Sequence, residues 1–241
     1  TMFSQAYVAG SRVHTNSWGS NQYPGDYTAQ SQQADQAAYT YQDMVILFAA
    51  GNDGIDSDSN GEVDLNSLGT PATAKNVITV GATENNRPSF GIIADNPEGM
   101  AEFSSRGPTT DNRMKPDVSA PGTFILSTKS RSTAATGWGA YDTDYTYMGG
   151  TSMATPLTAG ATALILEHLN TNIGMTNPSS ALVRVMFVAG ADDMTGQYGS
   201  PTNGAGESIP NYHEGWGRID LGGAINSSFV DGETVGTSDI R

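Results

Sequence analysis

The 241 residues contain no cysteine, which excludes disulfides, thiolate metal sites and a cysteine nucleophile at once. Basic side chains are scarce. Eleven Lys and Arg stand against twenty-five Asp and Glu, and the net charge of −14 argues against nucleic acid or an anionic membrane as partner. Part of that excess fits a solvated acidic surface, and part can be neutralised by bound cations. No apolar run is long enough to span a bilayer, and the first residues lack a signal-peptide pattern. No internal repeat is present. The length suits one large domain with a substantial core, and the 29 glycines, scattered among apolar runs, mark turns more than disorder.

The most informative stretch is Gly149-Gly150-Thr151-Ser152-Met153-Ala154-Thr155-Pro156. Two glycines permit close approach of backbone to a ligand, and Thr-Ser then stands where a helix should begin, with Pro156 tolerated in its first turns. A hydroxyl there lies at the positive end of a helix dipole, where free N–H groups stabilise charge developing on a substrate oxygen. The simpler alternative is a helix cap. The small residues from Ala159 to Ala163 predict a helix packed very closely at the centre of a fold.

Val45-Ile46-Leu47-Phe48-Ala49-Ala50 has the continuous apolar character of a strand buried on both faces. Val13 to Trp18, Val77 to Thr83 and Phe124 to Ser127 read as further strands of the same sheet. Helices are expected at the start of the chain, ending at Gly10 without a preceding cap, over residues 28–42, and from Pro178 to Ala189. Strands alternating with helices predict a three-layer α/β fold with a mostly parallel sheet. The acidic run after the second strand places Asp56, Asp58 and Asn60 at first, third and fifth positions of a loop. Gly61 follows at the sixth, Glu62 offers a carbonyl, and Asp64 is ninth. That is the start of an EF-hand-like calcium loop, although Ser67 stands where a bidentate glutamate would close it. A solvated acidic turn is the alternative.

Gly150 to Pro156 resembles the nucleophile motif of the subtilisin-like serine proteases, and differs from the Gly-x-Ser-x-Gly elbow because Ala154 replaces the second glycine. The segments Pro88 to Gly91, Phe103 to Pro108, Lys115 to Gly122 and Gly215 to Asp220 extend the resemblance from Thr1 to about Ala224, closest to a secreted, oxidatively stable alkaline branch. The resemblance implies an endopeptidase in which Ser152 is the nucleophile and Asn52 donates its amide to the oxyanion. It also implies that Ser17, Trp18 and Gly19 pair with an extended peptide, and that Ala50 and Gly51 line the pocket for the residue before the scissile bond. The family's aspartate and histidine motifs lie upstream of the segment that Thr1 begins, so a second polypeptide or a missing segment is expected to supply them. His14, His168 and His213 read as structural. Residues 1–226 are expected to be the C-terminal portion of a catalytic domain, and 227–241 a linker or the start of a β-domain. The other reading is a calcium-stabilised peptide-binding scaffold without catalysis.

Overall fold

The computed structural model describes residues 1–195 and 208–226; the expected linker at 227–241 lies outside them. Four parallel strands form the central sheet in the order β1 (Val13–Asn16), β2 (Val45–Ala49), β3 (Ile78–Thr83), β4 (Val118–Pro121). Successive side chains of β2 go to opposite faces, as the period of a strand requires. Val45 and Leu47 join a core with helices α3 (Thr151–His168), α4 (Ser180–Gly190) and α5 (Leu221–Asn226). Ile46 and Phe48 join one with α1 (Met2–Val8) and α2 (Ala29–Thr40). The expected three layers are therefore present. No helix among the described residues is long and apolar enough to cross a membrane.

Local chemistry sets most of these boundaries. Thr1 itself caps α1, its hydroxyl accepting from Ser4 N–H, where no cap was expected. Thr28 and Ser31 form a reciprocal capping box on α2. The central helix α3 buries Ala154, Thr155, Thr158, Ala161 and Thr162 against the sheet. Its threonines enter an apolar core because each hydroxyl donates one turn back, Thr155 to the Thr151 carbonyl and Thr158 to that of Ala154.

The sheet differs from expectation at one strand. The segment after Phe124 is β5 (Ile125–Thr128), which belongs to a separate antiparallel sheet with β6 (Gly139–Ala140) and β7 (Tyr145–Met148). The fourth parallel strand is instead Val118–Pro121, inside the segment Lys115 to Gly122. Pro121 is the last residue of β4, and Phe124 at φ 46° turns the chain out of the sheet plane.

The two edges of the parallel sheet are unlike. The segment around Arg218 and Ile219 bridges to Ser119 and covers β4. No strand among the described residues pairs with the outer edge of β1.

Candidate active site

Strand β2 delivers Gly51 and Asn52 to the N-terminus of α3, and β7 delivers Gly149 and Gly150 to the same place. Gly150 has φ 136°, open to glycine alone at little cost, and its N–H donates to the Gly122 carbonyl at 2.8 Å. Asn52 Oδ1 accepts from Thr151 N–H and from Thr151 Oγ1, both at 2.9 Å. Gly51 N–H donates to that same threonine hydroxyl at 3.3 Å, which leaves the hydroxyl proton for Asn52. Two donors facing one atom identify it as the amide oxygen, so the Asn52 amide nitrogen turns away from Thr151.

Ser152 follows in the first turn of α3 and is half-buried. Its N–H has no helical acceptor at that position. Its carbonyl also lacks the usual partner, because the residue four positions on is Pro156, which has no N–H. Ser17 Oγ donates to that carbonyl at 3.0 Å instead. Pro156 thus ties the start of α3 to the segment after β1.

An open cleft of about 320 Å³ lies between these segments. Ser17, Trp18, Gly19, Gly51, Asn52 and Ser152 all line it, so most residues expected at the site are brought together. Ala50 is not among them. It is fully buried, and its neighbour Ala49 faces the cleft, because alternation along a strand sends adjacent side chains to opposite sides. Asn16, Thr151, Asn21, Asp53 and Gly69 were not anticipated. Asn16 is buried, donates to the Leu47 carbonyl at 3.0 Å and accepts from Trp18 Nε1 at 3.1 Å, which fixes the exposed indole. The bond from Asn16 to Leu47 joins positions distant in sequence, which no local pattern reveals.

None of the three histidines lines the cleft. His14 meets Asn16 at 3.0 Å and packs on Phe3, and His168 meets Asn172 at the end of α3. His213 is 3% exposed, accepts from Arg106 Nε at Nδ1 and faces Glu62 at Nε2, 3.0 Å away. Burial and the Arg106 guanidinium push its pKa down to about 4. Because the unfolded chain binds a proton near pH 6.5 and the folded one does not, stability is complete above about pH 6.5 and falls as pH drops towards 4. That window is expected to cost up to about 3 kcal/mol, measurable by urea unfolding at pH 7 and pH 4.5; His213→Gln should flatten the difference.

The acidic loop closes on its own backbone. Asp56 and Asp58 both accept from Asn60 N–H at 3.1 Å, and Asp56 also accepts from Gly61 N–H. Asp64 accepts from the N–H and hydroxyl of Ser57, and the Glu62 carboxylate is directed to His213. Asp56, Asp58 and Asn60 therefore share one turn, whereas Asp64 and the Glu62 side chain do not. Among the described residues no three His, Cys, Asp or Glu side chains gather around one point.

Gly149 approaches the outer sheet so closely that a Cβ there would enter the Trp138 indole. Trp138 in turn packs edge-on against Phe103 and Phe124. Gly149→Ala is expected to cost about 1–3 kcal/mol by overpacking, read as a lower melting temperature, and Trp138→Leu should relieve it.

The fold agrees with comparisons to known proteins. The prenylagaramide maturation protease PagA superposes with a TM-score of 0.64 at 23% identity, over 93% of this chain and 64% of that one. The serine protease/ABC transporter B family protein tagD of Dictyostelium discoideum is 27% identical over 308 residues, covering 90% of this chain and 16% of that protein. Serine protease AprX of Bacillus subtilis is 38% identical over 133 residues, 52% of this chain and 26% of AprX. The chain thus spans only part of the relatives it matches. The subtilase family model matches residues 1–217, and the chain belongs to the subtilase family of serine proteases.

Proposed function

We propose that this chain carries the nucleophile and oxyanion half of a subtilisin-like endopeptidase. Ser152 Oγ attacks the peptide carbonyl, and the oxyanion that forms is held by Ser152 N–H and the Asn52 amide. The general base takes the Ser152 proton and passes it to the nitrogen of the leaving amine as the C–N bond breaks, and water then hydrolyses the acyl-enzyme, freeing the acid and restoring the Ser152 hydroxyl. The observation that carries this reading is the Asn52 carboxamide locked by Thr151 beside the first turn of α3, because it aims an N–H donor where a cap residue would need none. Ser17, Trp18 and Gly19 on one wall and Gly51 on the other leave a backbone-lined channel for an extended peptide.

The general base comes from a second polypeptide or an upstream segment bearing the triad aspartate and histidine. Two observations support this. The cleft is lined by no histidine, and the outer edge of β1, which leads into Ser17, has no strand beside it among the described residues. Parallel sheets of α/β proteins are ordinarily buried, so that edge suits a further parallel strand. A secreted protein of the alkaline branch remains the expected setting, by resemblance.

A calcium ion in the acidic loop would take the Asp56, Asp58 and Asn60 side chains and the Glu62 carbonyl, and Asp64 would have to leave Ser57 to join. The ion would hold the long loop beside the cleft. Chelation is then expected to lower the melting temperature. An unchanged melt in chelator, with no calcium by elemental analysis, removes the site.

Labelling with a fluorophosphonate tests the catalytic reading. Ser152 is expected to label when the segment carrying aspartate and histidine is present and to lose labelling when it is absent. Failure in the complete protein would favour the peptide-binding scaffold.

A further inference from the structure

We infer that Ser105 is a positioning residue for the oxyanion donor proposed above: from behind the cleft it clamps the main chain on both sides of Asn52. This rests on the protease reading of the site and deepens it.

The turn Gly51-Asn52-Asp53-Gly54 has no main-chain hydrogen bond between any two of its own residues, so its shape is set by what lies against it. Ser105 supplies two of those contacts. Its N–H donates to the Gly51 carbonyl at 2.9 Å, and its Oγ accepts from Asp53 N–H at 3.1 Å. A third comes from the same segment, where the Phe103 carbonyl accepts from Gly54 N–H at 2.9 Å. The approach is close. A Cβ on Gly51 would lie 2.7 Å from Ser105 Oγ, and one on Gly54 would run into the carbonyls of Glu102 and Ser104.

Ser105 is fully buried and is not among the residues lining the cleft, so any influence it has on the reaction passes through Asn52. Its neighbours hold it still. Ser104 Oγ accepts from the N–H of Ala82 in β3 at 3.0 Å, and Arg106 N–H donates to Ser67 Oγ at 2.9 Å. Thr151 fixes the rotation of the Asn52 carboxamide, whereas Ser105 fixes the backbone from which that side chain projects. Deleting the Ser105 hydroxyl frees the peptide between Asn52 and Asp53 to turn. A donor shifted by a fraction of an ångström loses its aim at the oxyanion while the substrate still binds.

Steady-state cleavage of a fluorogenic peptide by the full-length protein tests this in the wild type, Ser105→Ala, Asn52→Leu and the double variant. Ser105→Ala is expected to lower kcat about tenfold, short of the ~10²–10³ for losing the donor itself, with KM changed by less than about twofold. In the Asn52→Leu background the same change should lower kcat by less than about twofold, because the clamp then has no donor to aim. Ser105→Cys, close in volume but with only a weakly accepting sulfur, stands in if the alanine variant does not fold and should give the same pattern. An unchanged kcat, a rise in KM alone, or an equal loss in both backgrounds overturns the role of Ser105. Undiminished kcat in Asn52→Leu alone overturns instead the oxyanion reading on which the inference depends.

Discussion

Replacing Ser152 with alanine in the complete protein is expected to lower turnover by about 10⁶-fold, a magnitude established for the same change in subtilisin and taken over here for its family. The melting temperature should hardly move, since Ser152 is half-buried and its carbonyl keeps the bond from Ser17. Asn52→Leu should cost about 10²–10³ in turnover, again the size known from subtilisin. It should also lower stability modestly, because Thr151 N–H and its hydroxyl lose their acceptor. The two losses should not add, because without a nucleophile there is no oxyanion for Asn52 to hold. Steady-state kinetics on the two single variants and the double variant check this. A fall in turnover of only tenfold in Ser152→Ala would mean that another group performs the chemistry.

Asp117→Asn is expected to be the most damaging change to stability, by about 3–5 kcal/mol. Asp117 and Lys115 are 2% and 1% exposed, and their charges meet at 2.5 Å. Asp117 also accepts from Thr79 N–H at 2.7 Å and pairs with Arg184. Lys115 additionally donates to the Val77 carbonyl. Burial pushes the Lys115 ammonium down to about 8, and Asp117 is held below its ordinary range by Lys115 and Arg184 against the opposing effect of burial. Removing the carboxylate leaves a buried cation without its counter-charge, between β3 and β4, at the sheet that carries the site. Adding Lys115→Met should restore most of the loss, because the orphaned charge is removed with it. Urea unfolding of the single and double variants reads both effects. A loss below 1 kcal/mol would show the pair to be dispensable.

These two variants separate what local sequence reveals from what it hides. The Ser152 motif is contiguous, and glycines, Thr-Ser and Pro156 in a row point to a helix start with an exposed hydroxyl. The buried strand at Val45–Ala49 is equally visible, because an apolar run of that length has few other uses. The ion pair at Lys115 and Asp117 sits in a polar segment broken by Pro116 and Pro121, and nothing local marks either charge as buried. His213 likewise stands in a polar sequence, and its ring meets Arg106 and Glu62, more than a hundred positions upstream.

The sequence alone pointed to the three layers and to the strands around Val13, Val45 and Ile78, because periodicity is a property of neighbours along the chain, and its contiguous motifs marked Ser152 and Asn52 as candidates by resemblance. It could not decide that Thr151 orients Asn52, that Ser17 substitutes for the donor missing at Pro156, that Ala49 and not Ala50 faces the cleft, or that β5 leaves the parallel sheet. Those depend on which groups distant in sequence come within hydrogen-bonding reach and on which face of a strand each side chain falls. Both are settled only when helix α3 packs across the sheet.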